Sequence, residues 1–263
     1  MTARARLQGS LVTQSWVQAG RLLIRWRRDR VVLVGSLIFP VCLLVVYQAV
    51  LGERVHQVTG AESVYGLVPL CAVLSAVFGA FSTAAGISME RKMGLLSRMW
   101  VLPVHRISVL TGRLLADATR TLIGTVLLTA LGVAMGLRFA QGWLTVLAYI
   151  LIPSVLVVGF TALVMALAIR TNATTLMTYL AAGTVSLAFV NPGTTPIALF
   201  PDWLRPFVRV QPMSPPIEAM RALAQGGPLM WPVVITFIWA IVLLAVFMPI
   251  AVRGYRLGAE ANA

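Results

Sequence analysis

The chain has 263 residues, 59% hydrophobic and only 11% charged, with 21 Lys+Arg against 8 Asp+Glu for a net charge of +13. A soluble domain is about a quarter charged, so an ordinary globular enzyme is excluded, and a mean hydropathy of +0.89 excludes disorder. The basic excess fits either a nucleic-acid binder or the flanks of membrane spans, and the positions of the arginines decide which.

The first thirty residues form an arginine-rich leader. Leu7, Leu11, Trp16, Leu23 and Trp26 recur at near-helical spacing, with Arg21, Arg25 and Arg28 between them. This predicts a helix in the membrane interface, tryptophans at headgroup depth and arginines near anionic lipid. The apolar run that follows is long enough to span, so a cleavable signal peptide is not expected. A crossing needs roughly 20 apolar residues, and six runs approach that length, at about 31–51, 65–89, 107–136, 143–169, 171–190 and 230–252. The third starts with Arg113, Asp117 and Arg120, and the fifth is short and rich in Ala, Thr and Ser. Pro40, Pro69, Pro153 and Pro249 interrupt spans and predict bends.

With six spans both termini share one side. That side collects 16 of the 21 cations, leaving Arg54, Arg138, Arg205, Arg209 and Arg221 on the other. The positive-inside rule makes both termini cytoplasmic. The charge is then a topology signal, and nucleic-acid binding loses its support. Cys42 and Cys71 lie in apolar runs and give no disulfide framework.

Catalytic chemistry is sparse. Asp117 is the only carboxylate within a predicted membrane segment, flanked on its helical face by Arg113 and Arg120, and reads as a local ion pair near the cytoplasmic end. Coupling to an ion gradient usually needs acids at the midplane, so it is disfavoured. His56 and His105 fall on opposite sides and cannot share a metal site. A phosphate-binding loop needs Gly-Lys-Ser/Thr, yet the sole lysine, Lys92, sits between Arg91 and Met93. Energy for uphill movement must come from another subunit.

Two loops are unusually informative. The cytoplasmic stretch Glu90-Arg91-Lys-Met-Gly94-Leu95-Leu96-Ser-Arg98-Met99-Trp100-Val-Leu-Pro103-Val-His-Arg106 places Leu95, Leu96, Met99 and Trp100 on one face of a short helix. That face can lie on lipid or enter a groove on a cytosolic partner. The external stretch 191–228 predicts a short piece near Trp203, then, after Pro212, a helix of about ten residues between Ser214 and Gly226. Glu218 and Arg221 stand close enough there to pair. In the second span Ser75, Gly79, Ser82, Thr83 and Gly86 form a small-residue stripe beside Phe78 and Phe81. The stripe serves either close helix packing or a cavity wall, shared with Met177, Tyr179, Thr184, Ser186 and Phe189 of the fifth span.

Taken in order, the basic leader, two spans, the E-R-K-x-G-x-L-x-R loop, three more spans and a P-x-W-L-R-P-F…Q-P-M-S…E-A-M-R-A-L…G-G segment before the last span resemble the ABC type-2 permease family over essentially the whole chain. Trp-Val-Leu-Pro-Val-His-Arg106 and Gly-Leu-Arg-Phe-Ala-Gln-Gly142 are similar to the daunorubicin/doxorubicin-resistance permeases of actinobacteria. Gln211 departs from the asparagine common in relatives.

The resemblance implies an all-α integral membrane fold. Residues 1–30 would be an interfacial leader and 31–263 a six-span domain in the bacterial cytoplasmic membrane. The 90–106 loop would couple to the ATPase, and re-entrant helices would lie in 191–228. The chain would be a non-enzymatic half-transporter with no cofactor of its own. It would pair with a second permease, identical or a distinct paralogue, above two ATPase subunits that bind ATP and magnesium. Its cargo would be hydrophobic or amphiphilic: an envelope lipid of phthiocerol dimycocerosate type, or an anthracycline-like drug. A membrane scaffold that transports nothing is the alternative.

Overall fold

The computed structural model describes residues 11–29, 34–59, 63–92, 106–140, 142–170 and 173–260, and every regular element among them is helical. The helices are α1 (Leu11–Arg28), α2 (Phe39–Thr59), α3 (Val64–Lys92), α4 (Arg106–Ala134), α5 (Trp143–Arg170), α6 (Ala173–Phe189), α7 (Arg205–Val210), α8 (Ser214–Gln225) and α9 (Met230–Glu260).

Helices α3, α4, α5 and α9 are long and apolar enough to cross a bilayer, and α2 and α6 carry shorter apolar segments, Phe39–Val50 and Thr178–Phe189. The element order follows the sequence expectation. At Pro40 a π-helical turn, Val34–Ile38, runs directly into α2, so regular α geometry is interrupted there inside one continuous helical segment. The wider turn relieves the clash between the proline ring and the preceding turn. Pro69, Pro153 and Pro249 do lie inside helices.

The bundle is built around α3, which packs on α2, α4, α5, α6 and α8. Its apolar window is 89% buried inside the chain, against 17% for α9. Small residues permit this crowding. A Cβ added to Gly159 of α5 would lie 2.7 Å from the Ala240 carbonyl oxygen, so α5 and α9 touch backbone to backbone there. Most of α9 instead presents Phe237, Ile238, Ile241 and Val246 outward, a surface suited to lipid or another chain.

Candidate functional site

At the end of the bundle where α3 finishes and α4 begins, the chain buries two acid–arginine pairs. Asp117 of α4 is fully enclosed. Its Oδ1 accepts from Arg120 Nη2 at 2.7 Å, and its Oδ2 accepts from Thr83 of α3 and Thr161 of α5, both at 2.8 Å. Arg120 also donates to Ser82 Oγ, which in turn donates to the Gly79 carbonyl. One turn nearer the helix ends, Arg113 pairs with Glu90, each below 5% exposed. The local ion pair expected at Asp117 is formed with Arg120, while the other flanking arginine, Arg113, pairs across the helix pair with Glu90. A buried charge persists only if paired and hydrogen-bonded, and these four are.

The small-residue stripe of α3 is what makes room. Gly79 and Gly86 are seven residues apart, as are Arg113 and Arg120 on antiparallel α4. A Cβ on Gly79 would lie 2.5 Å from Arg120 Nη2, and one on Gly86 3.8 Å from Arg113 Nη1. The stripe thus seats guanidinium groups, a use that neither sequence alternative contained. The matched seven-residue spacing was the available signal.

Helix α1 docks on this end of α4. Ser15, Ala19 and Leu22 are buried there, with Ser15 Oγ 2.7 Å from Thr111 Oγ1. Trp26 stacks on the Arg120 guanidinium, 4.4 Å from the ring centroid. Trp16, Val12, Val17 and Ile24 do remain exposed on another sector of the helix, while Arg21, Arg25 and Arg28 fill a polar sector. Arg25 reaches back to Glu90 at 3.5 Å, so one carboxylate links α1, α3 and α4.

Beside this cluster lies a cavity of about 920 Å³ between α1, the π-helical turn, the start of α2 and the lower half of α3. Phe78, Gly79, Phe81 and Ser82, four of the residues expected on a cargo path, line it together with Phe39, Trp26, Arg25 and Glu90. Ser75 is buried in the core above it. The expected wall from the fifth span is not brought there: Tyr179 and Phe189 of α6 are exposed at 74% and 70%. Met177 belongs to α6, but its side chain lies outside the described residues. The interfacial helix occupies that side of the cavity, and periodicity alone could not show this.

The opposite end of α3 is closed by the segment after α6. Asn191 turns the chain, accepting from Gly193 N at 2.7 Å and donating to the Ala188 carbonyl. Gln211 donates to the Val190 carbonyl and, at 2.8 Å, to Ser214 Oγ, tying both ends of the segment together. Pro212 is half-buried and Trp203 is 78% exposed. Helix α8 stops at Gly226, whose φ of 78° ends it as expected. Glu218 and Arg221 do not form the anticipated contact pair; the Arg221 guanidinium donates to the Pro192 carbonyl. Burial pushes the Glu218 carboxyl above its ordinary pKa, partly offset by Arg221 and Arg209, and the Arg221 guanidinium is lowered by burial, partly offset by Glu218.

Of the expected ATPase-facing loop, Glu90 is placed as described and Arg91 lies in the last turn of α3. Gly94, Leu95, Leu96, Arg98, Met99, Trp100 and Pro103 lie outside the described residues.

The description "ABC-2 type transporter" fits residues 13–224. The chain is 38% identical over 261 residues to the protein named "Probable doxorubicin resistance ABC transporter permease protein DrrC" of Mycobacterium tuberculosis, covering 97% of this chain and 94% of that one. It is 26% identical to the daunorubicin resistance ABC transporter permease protein DrrB1 of Streptomyces coeruleorubidus, over 97% and 88% of the two chains. The chain is a membrane permease of the ABC-2 type transporter family.

Proposed function

We propose that this chain is the permease half of an ATP-driven exporter of hydrophobic or amphiphilic molecules in the bacterial cytoplasmic membrane. Two permeases, identical or paralogous, sit above two ATPase subunits that bind the nucleotide and magnesium. α2 to α6 and α9 make six crossings, both termini are cytoplasmic, and the segment carrying α7 and α8 re-enters from outside. The supporting observation is the cavity: a largely apolar, aromatic-walled space of drug-like size, bounded by Glu90, the first residue of the 90–106 loop expected to face the ATPase. The names of the relatives fit cargo of this kind.

In this reading, closure of the ATPase dimer moves the 90–106 loop. Glu90 passes the movement to α1 through Arg25 and to α4 through Arg113, reshaping the cavity wall. Charged replacements on the loop's apolar face, Leu96→Glu with Trp100→Glu, test it in proteoliposomes holding the assembled complex. Cargo-stimulated ATP hydrolysis and export should both be lost while the permease still inserts. Unchanged transport would overturn the coupling assignment. A scaffold that transports nothing would show no ATP-dependent export from the wild-type complex either.

A further inference from the structure

The cavity's chemistry chooses between the two cargo classes left open above, and this inference rests on the exporter reading. One wall is aromatic and apolar, from Phe39, Phe78 and Phe81. The charged edge is asymmetric. Glu90 is already neutralised by Arg113, and both are buried. Arg25 lies 3.5 Å from the same carboxylate and is 46% exposed, a contact too long to be a strong hydrogen bond. Helix α1 places two more exposed arginines, Arg21 and Arg28, one turn to either side of Arg25, and contains no acid. Asp29, the residue that follows the helix, also lines the cavity and has a partner of its own.

A cationic amine brought to this edge meets the Arg25 guanidinium and finds both lining carboxylates, Glu90 and Asp29, already partnered. An anionic headgroup lets Arg25 exchange a long contact for short charge-assisted bonds while its apolar body fills the aromatic side. We propose that the cavity binds an anionic lipid drawn from the adjoining leaflet, its phosphate on Arg25 and its chains against Phe39, Phe78 and Phe81. The preferred cargo class is therefore an anionic amphiphile, with a cationic polycyclic drug disfavoured at this site.

Trp26 lines the cavity and supplies the reporter. The full chain is placed in phosphatidylcholine vesicles doped with brominated phosphatidylglycerol or brominated phosphatidylcholine, and the Trp26 share of the quenching is obtained by difference from Trp26→Phe. The anionic quencher should be preferred roughly fivefold, the increment one arginine gives near an anionic lipid. Arg25→Gln should remove the preference. Gly35→Phe should reduce quenching by both lipids, since an added side chain at that lining glycine starts with no atom within 4 Å. Soluble glycerol phosphate and doxorubicin should displace neither lipid.

Equal quenching by the two lipids, a preference that survives Arg25→Gln, or displacement by doxorubicin would each overturn the proposal. The measurement needs no ATP. A failure here leaves the exporter reading to its own transport assay, and a failure of that assay leaves this binding result standing.

Discussion

The two ends of α3 each receive arginines against glycines, and they do so in opposite ways. At the capped end, a Cβ on Gly66 would lie 2.1 Å from the Gly193 carbonyl oxygen and 2.6 Å from Arg221 Nη2. The neighbours there are backbone, and the arginine is held by the neutral Pro192 carbonyl. From the middle of α3 to its other end, Gly79 and Gly86 face the guanidinium tips of Arg120 and Arg113, which are held by carboxylates beside a cavity. One end is closed by main chain. The other is closed by buried side chains held in ion pairs.

The largest effects should come from breaking charge balance at the ion-paired end. Glu90→Ala strands the buried Arg113 guanidinium and should cost about 3–5 kcal/mol, read as a steep drop in the melting temperature of the purified permease. Glu90→Leu combined with Arg113→Met should recover most of that stability, because apolar replacement of a buried pair is often neutral. Export should not recover with it. A double variant that transports normally would show that the pair only packs.

At the closed end, Gly66→Ala drives a methyl into fixed backbone. It should cost on the order of 1–3 kcal/mol or more as the cap shifts off α3, measured as protease sensitivity between α6 and α8. Arg221→Met removes one charge-assisted bond and should cost about 1.5–3 kcal/mol, with the same cleavage site opened less completely. If Gly66→Ala is silent, the cap is looser than its contacts indicate and the contrast between the two ends fails.

The unequal legibility of these ends has a physical cause. Short-range signals were enough for the capped end: Ser214 with two prolines and Gly226 delimit α8 because start and stop chemistry is local. The long apolar runs gave the helices for the same reason. The ion-paired end depends on pairings between residues 23 to 65 positions apart, such as Glu90 with Arg113 and with Arg25, and periodicity within one helix carries no information about its partner. So neither the stacking of Trp26 on Arg120 nor the place of α1 along the cavity could be read from any one helix. The positions of Asp117, Arg113 and Arg120 were visible in the sequence, but the threonines on two other helices that complete the Asp117 site were not.

Two smaller effects sharpen the contrast. Gly86→Ala adds a methyl that meets Arg113 Nη1 at an ordinary 3.8 Å, and it should stabilise α3 by up to about 1 kcal/mol through helix propensity. The same substitution thus changes sign between the two ends of one helix, and a loss of stability at Gly86 would remove the distinction. The smallest effect should be the pH response of the cap. Burial holds the Glu218 carboxyl above its ordinary pKa, with Arg221 and Arg209 pulling it partly back. A raised carboxyl favours the folded state when protonated, so its contribution is complete below the unfolded pKa and is lost as pH rises through the folded value. Cap stability should therefore decline from the acid range toward neutrality, and only modestly, because Glu218 keeps some contact with solvent. Glu218→Gln cannot ionise and should flatten that slope in melting temperature against pH. An unchanged slope would place the response on another group.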